Sequence, residues 1–331
     1  MSSLRGRLLG GLAFGFVVVL GLALLADVRQ VGIHLRAFQW SLAPLVLAGT
    51  LFNYLLRFIK WHYYLRVIGV RQLAVTQSAR VFVAGFPLAV TPGKVGEALK
   101  GVWINQLAGA PVARGVTVVL AERISDGLAV LALSTLGVIA YPRYWPAFAA
   151  VLAALLALIL LSQWRPLALA LLGWAEKVPL VCRFAHHLRE FYESAFALFR
   201  PRATLLAVSL GTAAWFGEGL AMYWVLTGLG VAQGTQTLSL AVFILAFSTV
   251  IGAVSALPGG LGAAEASIAG MLSLLLPLSA SVAAAATLLI RFATLWFGVG
   301  LGLLVWAFSP GLITLEGTSP PSPEATAGGS S

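Results

Sequence analysis

The run FPLAVTPGKVGEALKGVWINQ, starting at Phe86, holds Pro92-Gly93-Lys94-Val95-Gly96-Glu97. The run SALPGGLGAAEASIAGML, starting at Ser255, holds Pro258-Gly259-Gly260-Leu261-Gly262 and then Glu265. Both read Pro-Gly-x-x-Gly with an acid close behind. Both lie inside long apolar sequence, where a helix breaker and a carboxylate are each costly. A charge at the bilayer centre costs roughly 2.5–3.5 kcal/mol on insertion scales, so it marks function by default. Helix-breaking backbone at membrane depth is tolerated only where protein or a water-filled cavity surrounds it. Two broken helices in corresponding places point to a binding site built between two repeats.

Working outward, the 331 residues are 60% hydrophobic and 10% charged. Soluble domains carry about 25% charged residues, so this is an integral membrane protein, and its long apolar runs argue for helices. The net charge of +10 comes from Lys and Arg clustered between the apolar runs. That is the habit of cytoplasmic loops and not a nucleic-acid footprint. Cys182 is the single cysteine, so no intrachain disulfide forms. His34, His62, His186 and His187 have no zinc-like spacing, and neither a metal nor a cofactor is expected. No nucleotide-binding loop, nucleophile elbow or two-histidine protease motif is present.

Six spans are expected: Leu8 to Ala26, Leu42 to Tyr64, Val116 to Tyr141, Pro146 to Leu161, Thr204 to Leu229 and Ser281 to Phe308. Segments Ala79 to Leu107 and Leu238 to Leu276 carry the two motifs. Each is read as a re-entrant helical hairpin, with limbs short of the membrane thickness. Gln163 to Arg202 mixes aromatic and basic residues and reads as an interfacial segment. Trp61-His62-Tyr63-Tyr64 reads as an interfacial aromatic belt. The expected fold is therefore an all-α polytopic membrane protein, one domain over residues 1–310 with halves of about 1–145 and 146–310. A polar tail, 311–331, is expected to be disordered.

Seven Lys/Arg fall between Lys60 and Arg114 and six between Arg165 and Arg202, whereas none falls between Leu229 and Ser281. This places the N-terminus and the first hairpin on the cytoplasmic side of the inner membrane, and the second hairpin on the outer side. Glu97 to Arg123 is 26 positions, and Glu265 to Arg291 is also 26 (97 to 123, 265 to 291). Arg57 lies 12 positions before Gly69, and Glu218 lies 12 before Gly230. Three spans plus one hairpin per half force the second half in upside down, the inverted-repeat plan of many transporters.

The candidate binding residues follow. Pro92, Gly93, Gly96, Pro258, Gly259, Gly260 and Gly262 open half-helices whose N-terminal amides attract anions. Lys94, Arg123 and Arg291 add cations that suit a phosphate. Glu97, Glu122, Asp126, Glu218 and Glu265 suit an amine or a proton. Glu122 and Asp126 share a helical face, and Arg123 is placed to reach Asp126. Arg57 and Lys60 are further charges within a span. No catalytic residue is assigned.

The Pro92–Glu97 run, Glu122-Arg123-x-x-Asp126 and Pro258-Gly-Gly-x-Gly-x-x-Glu265 together resemble the lysylphosphatidylglycerol synthase transmembrane region, also called the flippase-like domain family. The resemblance covers about residues 5 to 308. It implies an inner-membrane protein that moves a phospholipid or lipid-linked head group between leaflets. The soluble aminoacyl-transferase domain of the full-length synthases has no counterpart in this sequence, so lysyl transfer is not expected. The alternatives are a membrane-embedded transferase using a polyprenyl-phosphate or lipid substrate, with Glu265 or Asp126 as base, and a non-catalytic partner of such an enzyme. A homo-oligomer is also compatible.

Overall fold

The computed structural model describes residues 26–140, 145–175 and 185–309, with scattered positions between 6 and 24. The expected first span falls mostly outside these residues, and the polar tail falls wholly outside them. Among the described residues every regular element is helical. The helices are α1 (Val28–Ala37), α2 (Ala43–Val67, entered through a 3-10 turn at Trp40–Leu42) and α3 (Val75–Ala84). Two 3-10 turns, Phe86–Val90 and Pro92–Ala98, then lead into α4 (Leu99–Ala108) and α5 (Val112–Ala140). There follow α6 (Trp145–Gln163), α7 (Arg165–Ala175), α8 (Ala185–Leu198), α9 (Pro201–Gly228) and α10 (Thr235–Val254). The turn Pro258–Gly260 precedes α11 (Ala263–Leu275) and α12 (Ala280–Arg291). A π-helical turn at Phe292–Trp296 runs on into α13 (Phe297–Phe308).

Among the described residues, four helical stretches are long and apolar enough to cross a membrane: Trp40–Val67, Pro201–Gly228, Thr235–Val254 and Ala280–Phe308. Large apolar side chains such as Leu205, Leu160 and Leu274 lie exposed on the outer faces, as a lipid-facing surface requires. One element differs from the sequence expectation. The first limb of the second motif segment is the 20-residue α10, about 30 Å long and so of spanning length. Its counterpart, α3, has 10 residues before the chain tightens into 3-10 turns.

Two helical stretches of the first half have counterparts of equal length in the second. Trp40–Val67 and Pro201–Gly228 both have 28 residues and are displaced by 161 positions (40 to 201, 67 to 228). Val112–Ala140 and Ala280–Phe308 both have 29 and are displaced by 168 (112 to 280, 140 to 308). The ends of α2 and α9 are closed by the same device. Val70 N–H donates to Leu65 O at 2.9 Å and Gly69 N–H to Arg66 O at 3.2 Å. Val231 N–H donates to Leu226 O at 3.0 Å and Gly230 N–H to Thr227 O at 2.9 Å. These are two Schellman caps, each with its glycine left-handed, at φ 86° and 88°.

α2 and α9 cross closely because each carries a glycine at the contact. A Cβ added to Gly49 would sit 2.6 Å from Gly217 O, the small-residue approach that membrane helices use. The peripheral helices dock crosswise. α1, from the first half, packs on α12, with Val31 buried against Ala284 and Ala285. α8, from the second half, packs on α5, where Arg114 Nε donates to Glu190 at 2.5 Å. The core also corrects the aromatic belt: Trp61 and Tyr64 are 0% exposed and belong to the main apolar cluster. Their ring area is worth more against Phe82, Val81 and Ile104 than at an interface.

Candidate functional site

The two Pro-Gly turns meet in the interior. Val90, Leu261 and Val299 form a small buried cluster between them, and the turns Phe86–Val90 and Pro92–Ala98 both touch Pro258–Gly260. Beside this junction lies a cavity of about 130 Å³. Its polar lining comes from both halves: Tyr54 and Arg57 of α2, Glu97, Lys100 and Arg123, and then Trp215 and Glu218 of α9, Gly259, Gly260 and Arg291. Tyr54 and Trp215 occupy equivalent positions in α2 and α9, three residues before Arg57 and Glu218 respectively.

The Glu–Arg pairs spaced by 26 both form. Arg123 Nη2 lies 2.5 Å and its Nε 3.1 Å from Glu97 Oε2. Arg291 Nε donates to Glu265 Oε1 at 2.6 Å, and its Nη2 donates to Gly259 O at 3.2 Å. Each arginine therefore ties its motif turn to the long helix that follows and still lines the cavity. Arg123 does not go to Asp126, as helical spacing suggested. Asp126 is held instead by Lys60 and by Arg57 Nε at 3.2 Å. Glu122 takes Arg57 Nη2 at 2.7 Å and Lys100 Nζ at 3.8 Å. Arg57 and Lys60 project from α2, and Glu122 and Asp126 from α5, so this network locks those two helices together.

The motif amides are largely spoken for by the chain itself. Gly96 N–H donates to Thr91 Oγ1 at 2.9 Å, and Gly262 N–H donates to Glu265 Oε2 at 2.7 Å. Glu265 thus caps α11 while neutralising Arg291, and the positive end of that helix is met from within. The side chains of Pro92 and Lys94 lie outside the described residues.

Glu218 differs from the other carboxylates. It is 5% exposed, lines the cavity, and makes no hydrogen bond or ion pair among the described residues. Residues that sequence reasoning left out also stand here. Tyr54 donates to Thr294 O at 2.5 Å, across to the π turn that directly follows Arg291. Such turns recur at functional sites. Lys100 is 2% exposed, with its ammonium over the rings of Trp61 and Phe82 at 5.0 and 5.4 Å. The signal for Lys100 was present: it follows Glu97 by three positions, and so shares its helical face.

A polar cavity at the junction of two broken helices, lined by four cations and an unpaired carboxylate, is able to hold a charged head group while an apolar tail stays outside. A family profile described as Lysylphosphatidylglycerol synthase TM region matches residues 12–302 of the chain. No curated protein and no solved structure matches it.

Proposed function

The chain belongs to the lysylphosphatidylglycerol synthase transmembrane-region family, and from that premise we propose that it moves a phospholipid or lipid-linked head group across the cytoplasmic membrane. The observation that carries this reading is the cavity, with Arg57, Lys100, Arg123 and Arg291 beside the unpaired Glu218. Membrane-embedded charge facing a cavity is the usual mark of a substrate path. The arginines and Lys100 receive an anionic phosphate. Glu218 takes an amine of the head group or a proton. The acyl chains remain in lipid.

The matched element boundaries and twin caps support an inverted repeat, in which one half rocks against the other around the fixed cavity. Single cysteines at Arg71 and Gln233, in a Cys182→Ser background, are expected to react with an impermeant maleimide from the cytoplasmic and outer faces respectively. Labelling of both from one face removes the inversion. A transferase is the weaker reading, because Glu265 and Asp126 are both held by cations and neither is a ready base.

The function is tested with purified protein in vesicles. Labelled phosphatidylglycerol and other labelled lipids are scored for leaflet and for chemical identity. Movement without conversion supports translocation, and a new lipid product formed by this protein alone replaces it with transfer.

A further inference from the structure

We infer that Lys100 is the oxyanion anchor of the cavity, the group that takes a phosphate oxygen directly. The other described cavity cations already hold a carboxylate at hydrogen-bond distance: Arg57 at 2.7 Å, Arg123 at 2.5 Å and Arg291 at 2.6 Å. The nearest carboxylate oxygen to Lys100 is Glu122 Oε2 at 3.8 Å, beyond hydrogen-bond reach. Among the described residues Lys100 makes no hydrogen bond, although it is buried.

An ammonium carries three donors and no acceptor. The faces of Trp61 and Phe82 offset part of its charge. They supply no oxygen, so the donors of the ammonium stay open toward the cavity that Lys100 lines. A tetrahedral oxyanion entering the cavity supplies the missing acceptors. The aromatic faces fix the head in one place, so the anion finds a preset donor. This differs from the fork of an arginine, which here is occupied by its own glutamate. The chemistry named is a phosphate oxyanion, from a lipid head group or from free phosphate.

Two variants separate this role from mere charge. Lys100→Met removes the ammonium and leaves Glu122 paired with Arg57. Gly85→Ala keeps every charge, but its added Cβ runs into Lys100 Cε and forces the side chain out of its seat. Thermal unfolding is followed in uncharged detergent with added inorganic phosphate, with phosphatidylglycerol, or with chloride at equal ionic strength. Wild type is expected to be stabilised by at least one of the two phosphate probes above chloride. Which probe acts identifies the source of the oxyanion. Both variants are expected to raise the apparent Kd for that probe about tenfold or more, the loss of one charge-assisted hydrogen bond.

Unchanged affinity in both variants overturns the assignment, as does a wild type that neither probe stabilises. Should Lys100→Met not fold, Gly85→Ala decides alone, and wild-type affinity there overturns it. The inference rests on the cavity receiving the head group. Vesicles without lipid movement, together with Lys100-dependent binding, refute the translocation and spare the anchor. Lipid movement with Lys100-independent binding does the reverse.

Discussion

Placed on the shared frame, the two halves keep one pair of charges and part company over the rest. Glu97 and Arg123 recur as Glu265 and Arg291 under the displacement of 168. Lys100, Glu122 and Asp126 of the first half meet Ile268, Ile290 and Thr294 in the second. Lys60 meets Ala221, and Arg57 meets Glu218, under the displacement of 161. Ala221, Ile268 and Ile290 are buried, as are the charged residues they replace. The same frame therefore accepts an apolar core at these places. Exchanging a buried ion pair for apolar side chains is often neutral or stabilising by roughly 1–4 kcal/mol. The first half thus carries a charged network where an apolar core would serve, and two of its members, Arg57 and Lys100, line the cavity.

The largest effect is expected at Asp126. Asp126→Ala leaves the fully buried Lys60 without its acid, and is expected to cost about 3–5 kcal/mol in unfolding experiments in detergent. A loss below about 1 kcal/mol would mean that the network contributes no more than the second half's Thr294 does. Gly217→Val tests the crossing that joins the halves. Its Cβ would approach Phe52 Cδ1 at 2.7 Å, and overpacking of that kind costs roughly 1–3 kcal/mol, read as a fall in Tm.

A graft exchanges the whole network at once. Lys60→Ala, Lys100→Ile, Glu122→Ile and Asp126→Thr together write second-half residues into the first half. Arg57→Met is added, because Arg57 would otherwise lose both of its acids. The five changes leave no charge of the network unpaired, so the graft is expected to unfold within about 2 kcal/mol of wild type, closer than Asp126→Ala alone. Lipid movement is expected to fall at least tenfold. Wild-type movement by the graft would place the binding chemistry elsewhere.

The smallest effect lies where α8 docks on α5. The hydrogen bond from Arg114 holds the Glu190 carboxyl below its usual range. That stability is present above the unfolded carboxylate value of about 4.3 and is lost as pH falls through the lower folded value. The pair is partly exposed, so Glu190→Gln is expected to cost under about 1 kcal/mol at pH 7. The gap in Tm to wild type is expected to close as the pH falls below 4. A gap that persists at low pH would assign the contact to packing.

The helical fold and the two Glu–Arg pairs were legible in the sequence because their markers act locally. Pro-Gly turns, a glycine cap and a carboxylate 26 positions before an arginine survive without knowledge of the fold. Apart from the spacing of three between Glu97 and Lys100, the pairings added in the first half were not legible, since their partners come from distant elements. Trp61 reads as a belt residue until α3 brings Phe82 beside it. Arg123 stands three positions from Asp126, yet the turn at Pro92–Ala98 offers it Glu97, and α2 offers Asp126 two other cations. Lys100 counts as loop charge until α4 carries it inward. The length of α10 was hidden because its interior Gly252 and the Pro258 turn look like interruptions. Only the turn lies outside the helix.

The crosswise docking also bears on how the chain is made. Val31 of α1 leaves the ribosome about 250 residues ahead of Ala284 and Ala285, against which it is buried. At about 5–20 residues per second, that is an interval on the order of ten to fifty seconds. During it, the membrane holds a nearly complete first half whose outer helix has no seat. α8 faces no such delay, because α5 is already in place when it emerges. The helix Ala280–Phe308, made late, is thus the one that seats α1, made early.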